Sequence, residues 1–218
     1  MDTYNHTLIA KIANICAELE KEFSLIPAKR KRQLYSLGEY LTHKFQQQKI
    51  PQLIVICTHN SRRSHLGQIW LAVGAAYYSL PQMDTFSGGT EATAFNPRAV
   101  AALQKIGFEI DSLENKTPSN PIYEVNWLED ETTYQAFSKK YEDAPNPTRD
   151  FAAIMVCTSA DEGCPVVAGA DFRIALPYED PKAYDDTPLE SEKYMERCRQ
   201  IGREMLYVLS QVRQSIKE

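Results

Sequence analysis

The chain has 218 residues, of which 43% are hydrophobic and 24% charged, a length and balance that fit one well-buried core with a small appendage. Its formal net charge of −5 gives no electrostatic footprint for nucleic acid, and no run of 18 apolar residues is available to span a bilayer. The first residues, MDTYNHTLIAKIANICAELEKEF, carry neither a basic leader region nor a continuous apolar stretch. No signal peptide is therefore expected, and the expected compartment is the cytoplasm.

In chain order, Leu8, Ile9, Ile12, Ile15, Leu19 and Phe23 recur at helical spacing, Pro27 interrupts, and Leu34, Leu37, Leu41 and Phe45 resume the pattern. A helical pair over residues 1–49 is expected, set before an α/β domain over 50–218. From Pro51 the pattern changes. LIVIC reads as a buried strand, and Leu66, Ile69, Trp70, Val73 and Tyr77 lie on one face of the helix that follows. MDTFS reads as a second strand, then Asn96 caps a helix with Pro97 in its first turn and Gly107 where it stops. The stretch at about 114–149 reads as an insertion with a short strand at IYEV and a helix near 130–141. FAAIMVC (151–157) and DFRIALP (171–177) supply two more buried strands, and Cys198, Ile201, Met205, Leu209 and Val212 mark a long final helix. Alternating strands and helices predict a parallel sheet with helices on both faces, and no internal repeat is present.

Five cysteines (Cys16, Cys57, Cys157, Cys164, Cys198), an odd number in a reducing compartment, argue against a structural disulfide framework. Cys16 and Cys198 fall on apolar helix faces and read as core residues. The segment VICTHNSRRSH places Cys57 at the end of a strand and Arg63 six positions on, where a helix begins. Ligands of parallel sheets bind at such strand-to-helix junctions. There Thr58, His59, Asn60, Ser61 and Arg62 can curl so that backbone N–H groups form an anion nest, completed by the positive end of the helix. Arg63 offers a planar fork for two oxygens of a tetrahedral oxyanion, and the same field favours the thiolate form of Cys57. Ser64 can donate to that sulfur, and Asn60 can pin the loop. The bland alternative makes Cys57 a buried strand end and Arg63 a solvated charge. A nucleotide-binding loop fits less well, because the glycine run and the Gly-Lys-Ser/Thr ending are absent.

CTHNSRRS resembles the Cys-x5-Arg-Ser active-site loop shared by low-molecular-weight protein tyrosine phosphatases and thioredoxin-coupled arsenate reductases, and FSGGTEATAFNPRAVAALQKIGFEI is similar to their second β-α unit. The resemblance spans roughly residues 51–113 and 150–213. It implies a flavodoxin-like four-stranded parallel sheet, Cys57 as nucleophile, Asn60 and Ser64 as loop organisers, and Arg63 as oxyanion clamp. His59 and Arg62 depart from the glycine and cysteine common in the reductases' loop. Gln68 replaces a glutamate that serves a potassium site in some members.

In MVCTSADEGCPVV, the spacing of Cys157 and Cys164 matches the redox pair of the arsenate reductases, which the phosphatases lack. A polar, glycine-containing segment hinged at Pro165 allows such thiols to reach bridging distance. A zinc site fits poorly, since His6, His43, His59 and His65 all lie in the first third of the chain. Asp180 precedes Pro181 where both branches place an Asp-Pro general acid, although Asp before Pro is also an ordinary cap. Glu179 is a substitute for it, and Asp185 and Asp186 read as solvated turn residues.

The resemblance thus implies arsenate reduction through Cys57, Cys157 and Cys164, with no cofactor, and regeneration by a thioredoxin-like protein. Two alternatives stay open: hydrolysis of phosphotyrosine or small phosphoesters through a cysteinyl-phosphate, and an oxyanion-binding redox-sensing module. The expected substrate is an arsenate- or phosphate-type oxyanion. Neither nucleic acid nor membrane is an expected partner, and the N-terminal helices are candidates for dimerisation.

Overall fold

The structure is a computed structural model, and it describes residues 7–113, 119–130, 132–163 and 166–217. The run Gln52–Cys57 forms strand β1, and its apolar residues Leu53 to Ile56 are fully buried because both faces of the sheet are covered. Strands β2 (Asp84–Gly89), β6 (Phe151–Met155) and β7 (Ala170–Ala175) join it in a parallel sheet of order β2-β1-β6-β7. The chain passes from β1 to β2 on one side and later enters β6 on the other. The carboxyl ends of β1 and β6 therefore flank the switch point, where open parallel sheets bind ligands.

Helix α1 (Ala10–Lys21) and helix α2 (Ala28–Gln46) form the expected N-terminal pair, with Pro27 just ahead of α2. Helix α3 (Arg63–Tyr77) follows β1, and helix α4 (Pro97–Ile106) follows β2. The Asn96 side chain caps α4 by accepting from Arg98 N, and Gly107 at φ +125° closes it, a backbone state that glycine adopts without strain. Helix α6 (Glu190–Ser215) runs 26 residues and packs against α1, α2, α3 and α4. Ile12, Cys16, Leu19, Leu34, Leu37 and Leu41 of the N-terminal pair share one hydrophobic core with Trp70, Ile201 and Leu209.

The insertion departs from expectation. It holds a strand near IYEV, as read, but no helix at 130–141 among the described residues. Strands β3 (Glu109–Ser112), β4 (Tyr123–Asn126) and β5 (Tyr134–Ala136) instead make an antiparallel sheet. Tyr134, Phe137 and Tyr141 mimic helical spacing, yet Thr132 and Thr133 introduce a β-pairing segment in which Tyr134 opposes Val125. After β5 the chain returns to the main sheet, where Tyr141 N donates to Gly89 O at 2.9 Å. A short helix α5 (Thr158–Gly163) follows β6. No helix among the described residues is long and apolar enough to cross a membrane.

Candidate active site

Five successive backbone carbonyls at the end of β1 are engaged by hydrogen-bond donors. Cys57 O accepts from Thr90 N at 3.1 Å, and Thr58 O from Glu91 N at 2.8 Å and from Thr90 Oγ1 at 3.1 Å. His59 O accepts from Thr93 Oγ1 at 3.1 Å and Ser138 Oγ at 3.0 Å. Asn60 O faces His65 Nε2 at 3.0 Å, and Ser61 O accepts from Asn96 N at 2.8 Å. In a trans peptide the C=O and the following N–H point in opposite directions. Anchoring the carbonyls to these surrounding groups therefore turns the amides of Thr58 through Arg62 away from those groups, a condition that an anion nest must meet. Helix α3 starts at Arg63, so its positive end directly follows this run of amides.

Several side chains lock this shape. Asn60 holds a left-handed backbone at φ +43°, its Oδ1 accepting from Lys139 N at 2.8 Å and its Nδ2 donating to Ser64 Oγ at 2.8 Å. Ser64 Oγ lies 3.1 Å from Cys57 Sγ. A hydroxyl oxygen that already accepts from Asn60 is left with its proton to donate to the sulfur. Gly89 must be small, because a Cβ at that position would stand 2.2 Å from Glu91 O and 2.7 Å from Asn60 N. His65 is fully buried, stacked 4.1 Å from the Phe95 ring centroid, with Ser87 Oγ 3.3 Å from Nδ1. Burial, and secondarily the charge of Lys139, push its imidazole well below the usual value, so it is neutral. Nε2 then carries the proton given to Asn60 O, and Nδ1 accepts from Ser87. Lys139 is itself buried, which pushes its ammonium down to about 8.

Of the residues singled out in the sequence, Arg63 and Asp180 are bonded to each other, and Cys57 meets Ser64, the residue that follows Arg63. Arg63 Nη2 donates to Asp180 Oδ2 at 2.6 Å, and Nη1 donates to Tyr178 O at 2.8 Å. Asp180 Oδ1 also accepts from Lys182 N and caps the 3-10 turn Pro181–Tyr184, the ordinary cap of the two readings of the Asp-Pro pair. Glu179 points to Arg197 at 3.2 Å with 89% of its side chain exposed.

Cys157 lies just beyond β6 and is buried, with its Sγ 3.3 Å from Thr58 Oγ1 and 3.4 Å from Ala160 N of α5. A second thiol therefore stands beside the residue that follows Cys57. Cys57 and Cys157 are both free thiols. Cys164 and Pro165 lie outside the described residues, as does His6. Cys16 and Cys198 are core residues with no exposure, and burial pushes each thiol up to about 12.

Other expected positions divide. The His59 imidazole faces solvent and Glu91, with Nε2 3.8 Å from its carboxylate. The Arg62 side chain leaves the loop, donating from Nε to Tyr194 OH at 2.6 Å and from Nη2 to Asp185 Oδ2 at 3.2 Å. Asp185 is thus no solvated turn residue: it is 18% exposed and accepts from both Arg62 and Tyr194. Its partners lie on other elements, which is why local composition misread it. Asp186 does sit in solvent, paired with Arg98. Gln68 donates to Thr85 O at 2.7 Å, while its Oε1 is buried with no hydrogen-bond partner among the described residues. Sequence reading missed Thr90, Thr93, Ser138 and Lys139, which hold the loop; the last two belong to the insertion and carry no motif.

No family model matches the chain. Over 149 residues, 68% of this chain and 87% of the relative, it is 25% identical to a curated protein named arsenate reductase from Halalkalibacterium halodurans. Similar solved structures include a low-molecular-weight phosphotyrosine phosphatase from Vibrio cholerae O395, at 13% identity and a TM-score of 0.47, covering 73% of this chain and 95% of that one. A mutant of YwlE from Bacillus subtilis is similar at 14% identity and a TM-score of 0.44, covering 77% and 99%. The curated relative carries the name of one of the two branches whose loop Cys57 to Ser64 resembles.

Proposed function

We propose that the chain is a thiol-dependent arsenate reductase. The observation that carries this reading is the second thiol, Cys157 Sγ, held 3.3 Å from Thr58 Oγ1 at the rim of the anion nest. Hydrolysis through a cysteinyl intermediate needs one thiol, whereas reduction of an oxyanion needs a second to accept the first sulfur. The curated relative named arsenate reductase supports the same branch.

The oxyanion-binding loop runs from Thr58 through Ser64, with the amides and Arg63 holding three of the four oxygens of arsenate. Cys57 thiolate attacks arsenic, an S–As bond forms, and Asp180 gives its proton to the departing oxygen, which leaves as water. Cys157 thiolate then attacks Cys57 Sγ. The S–As electron pair returns to arsenic, which leaves as arsenite, and a Cys57–Cys157 disulfide remains. Cys164 attacks Cys157 Sγ, releasing Cys57 as thiolate and moving the disulfide to 157–164. A thioredoxin-like dithiol reduces that bond by exchange, and the enzyme needs no cofactor. Phosphate fits the same nest, so slow phosphoester hydrolysis accompanies the main reaction.

A phosphatase is the second reading, and the Arg63–Asp180 pair at 2.6 Å favours it equally, since clamp and acid serve either chemistry. The deciding experiment is steady-state arsenate turnover with thioredoxin, thioredoxin reductase and NADPH, beside p-nitrophenyl phosphate hydrolysis by the same preparation. Cys57→Ser abolishes both. Turnover of the phosphoester alone, with no arsenite released, would overturn the reductase reading.

A further inference from the structure

Arg30, in the first turn of α2, connects the N-terminal helices to the anion clamp. Its side chain is 12% exposed, and Nε donates to Glu204 Oε2 at 2.7 Å. Nη2 donates to Pro177 O at 3.3 Å, and the guanidinium carbon stands 4.6 Å from the Tyr178 ring centroid. Tyr178 is also bound at its other end, its hydroxyl donating to the same Glu204 oxygen at 2.8 Å. The carbonyl of Tyr178 is the group that accepts from Arg63 Nη1, and Asp180 follows two residues later. One short segment, 177–180, thus receives Arg30 on one side and Arg63 on the other.

The segment lies past the end of β7, and its backbone is tied to the sheet by Leu176 N to Met155 O and Tyr178 N to Val156 O. Those two bonds fix its distance from β6, while the Pro177 carbonyl and the Tyr178 ring are fixed by Arg30 and Glu204. Glu204 is only 1% exposed, and a carboxylate that deeply buried requires a bonded cation. Arg30 supplies that charge from outside the α/β portion of the chain.

We infer that Arg30 is a positioning residue for the anion site: through Pro177 O, Glu204 and Tyr178 it sets where the Tyr178 carbonyl holds Arg63 and where Asp180 is presented. The N-terminal helices are then part of the active site's support. The inference rests on the reading of Arg63 as oxyanion clamp.

The test uses the full chain and inorganic phosphate as probe, with affinity read by calorimetry so that no turnover is needed. Arg30→Met leaves Glu204 buried without its cation, so the decisive variant is Arg30→Met with Glu204→Gln, which keeps a neutral acceptor for the Tyr178 hydroxyl. It is expected to weaken phosphate binding about tenfold, because a displaced Tyr178 carbonyl no longer holds the Arg63 fork in place for two oxygens. Arg30→Lys restores the charge beside Glu204 but not the planar fork whose second nitrogen reaches Pro177 O. It should recover the melting temperature while binding phosphate weakly. In an Arg63→Lys background the Arg30 substitutions should add nothing. Unchanged phosphate affinity in the double variant, or an equal further loss in the Arg63→Lys background, would overturn the inference. Failure of Arg63→Lys itself to weaken phosphate would overturn the clamp reading instead, and the Arg30 role with it.

Discussion

Arg63 Nη2 and Asp180 Oδ2 are 2.6 Å apart, so the expected oxyanion clamp and the expected general acid are bonded to each other. An arriving tetrahedral anion competes with Asp180 for the guanidinium fork, which places the carboxyl next to the anion's outer oxygens. On the proposed function, clamp and acid are thereby delivered to the same reacting group.

Asp180→Asn should consequently slow phosphoester hydrolysis in proportion to how much help the leaving group needs. The loss is expected to reach about a hundredfold or more with phenyl phosphate and to be much smaller with p-nitrophenyl phosphate. Equal losses on both substrates would show that Asp180 serves only as the cap of the Pro181–Tyr184 turn.

Cys157→Ser separates the two chemistries at the nest. Water resolves a cysteinyl-phosphate, so p-nitrophenyl phosphate hydrolysis should stay within about twofold of the unsubstituted chain. Arsenate turnover should fall to background for want of the resolving thiol. Matching losses would mean that Cys157 supports Thr58 and the loop rather than the electron transfer.

How much of this was legible depended on sequence separation. β1, β2, β6 and β7 and the Asn96–Gly107 helix announce themselves through local apolar runs and cap residues, and the Cys57–Arg63 loop is a contiguous motif. The 130–141 stretch misleads because aromatic spacing imitated a helix while its pairing partner, Tyr123–Val125, lay outside the window. Arg62 with Asp185 and Arg30 with Glu204 join residues 123 and 174 positions apart, and no local pattern encodes such pairs. The departure of Arg62 from the resembled loop was visible; what it binds was not.

The N-terminal helices bear on stability as well as on the site. Leu37 is fully buried in α2, within the same core as α6. Leu37→Ala should cost about 2–5 kcal/mol by transfer and cavity terms. Removing residues 1–49 strips every such contact from α6 and should exceed the roughly 5–15 kcal/mol that holds a domain folded. Urea unfolding of the substitution and thermal melting of the 50–218 fragment check both. A fragment that melts cooperatively near the temperature of the full chain would show that the helices are accessory.

His65 gives the fold a defined response to acid. Its imidazole stays neutral in the folded chain because burial holds it well below the usual value, whereas in the unfolded chain it titrates near 6.5. As pH falls through that value the unfolded chain binds a proton that the folded chain refuses, so stability is full above it and declines below it. The slope from this one group is about 1.4 kcal/mol per pH unit once the unfolded imidazole is fully charged. Urea unfolding at pH 7.5, 6.5 and 5.5 should therefore show a steeper acid loss for the unsubstituted chain than for His65→Gln, whose amide keeps a donor for Asn60 O but does not titrate. Parallel slopes would mean that His65 takes up its proton while folded. Nδ1 would then become a second donor facing the Ser87 hydroxyl, whose oxygen still has a lone pair to accept it, while the Asn60 carbonyl kept its bond.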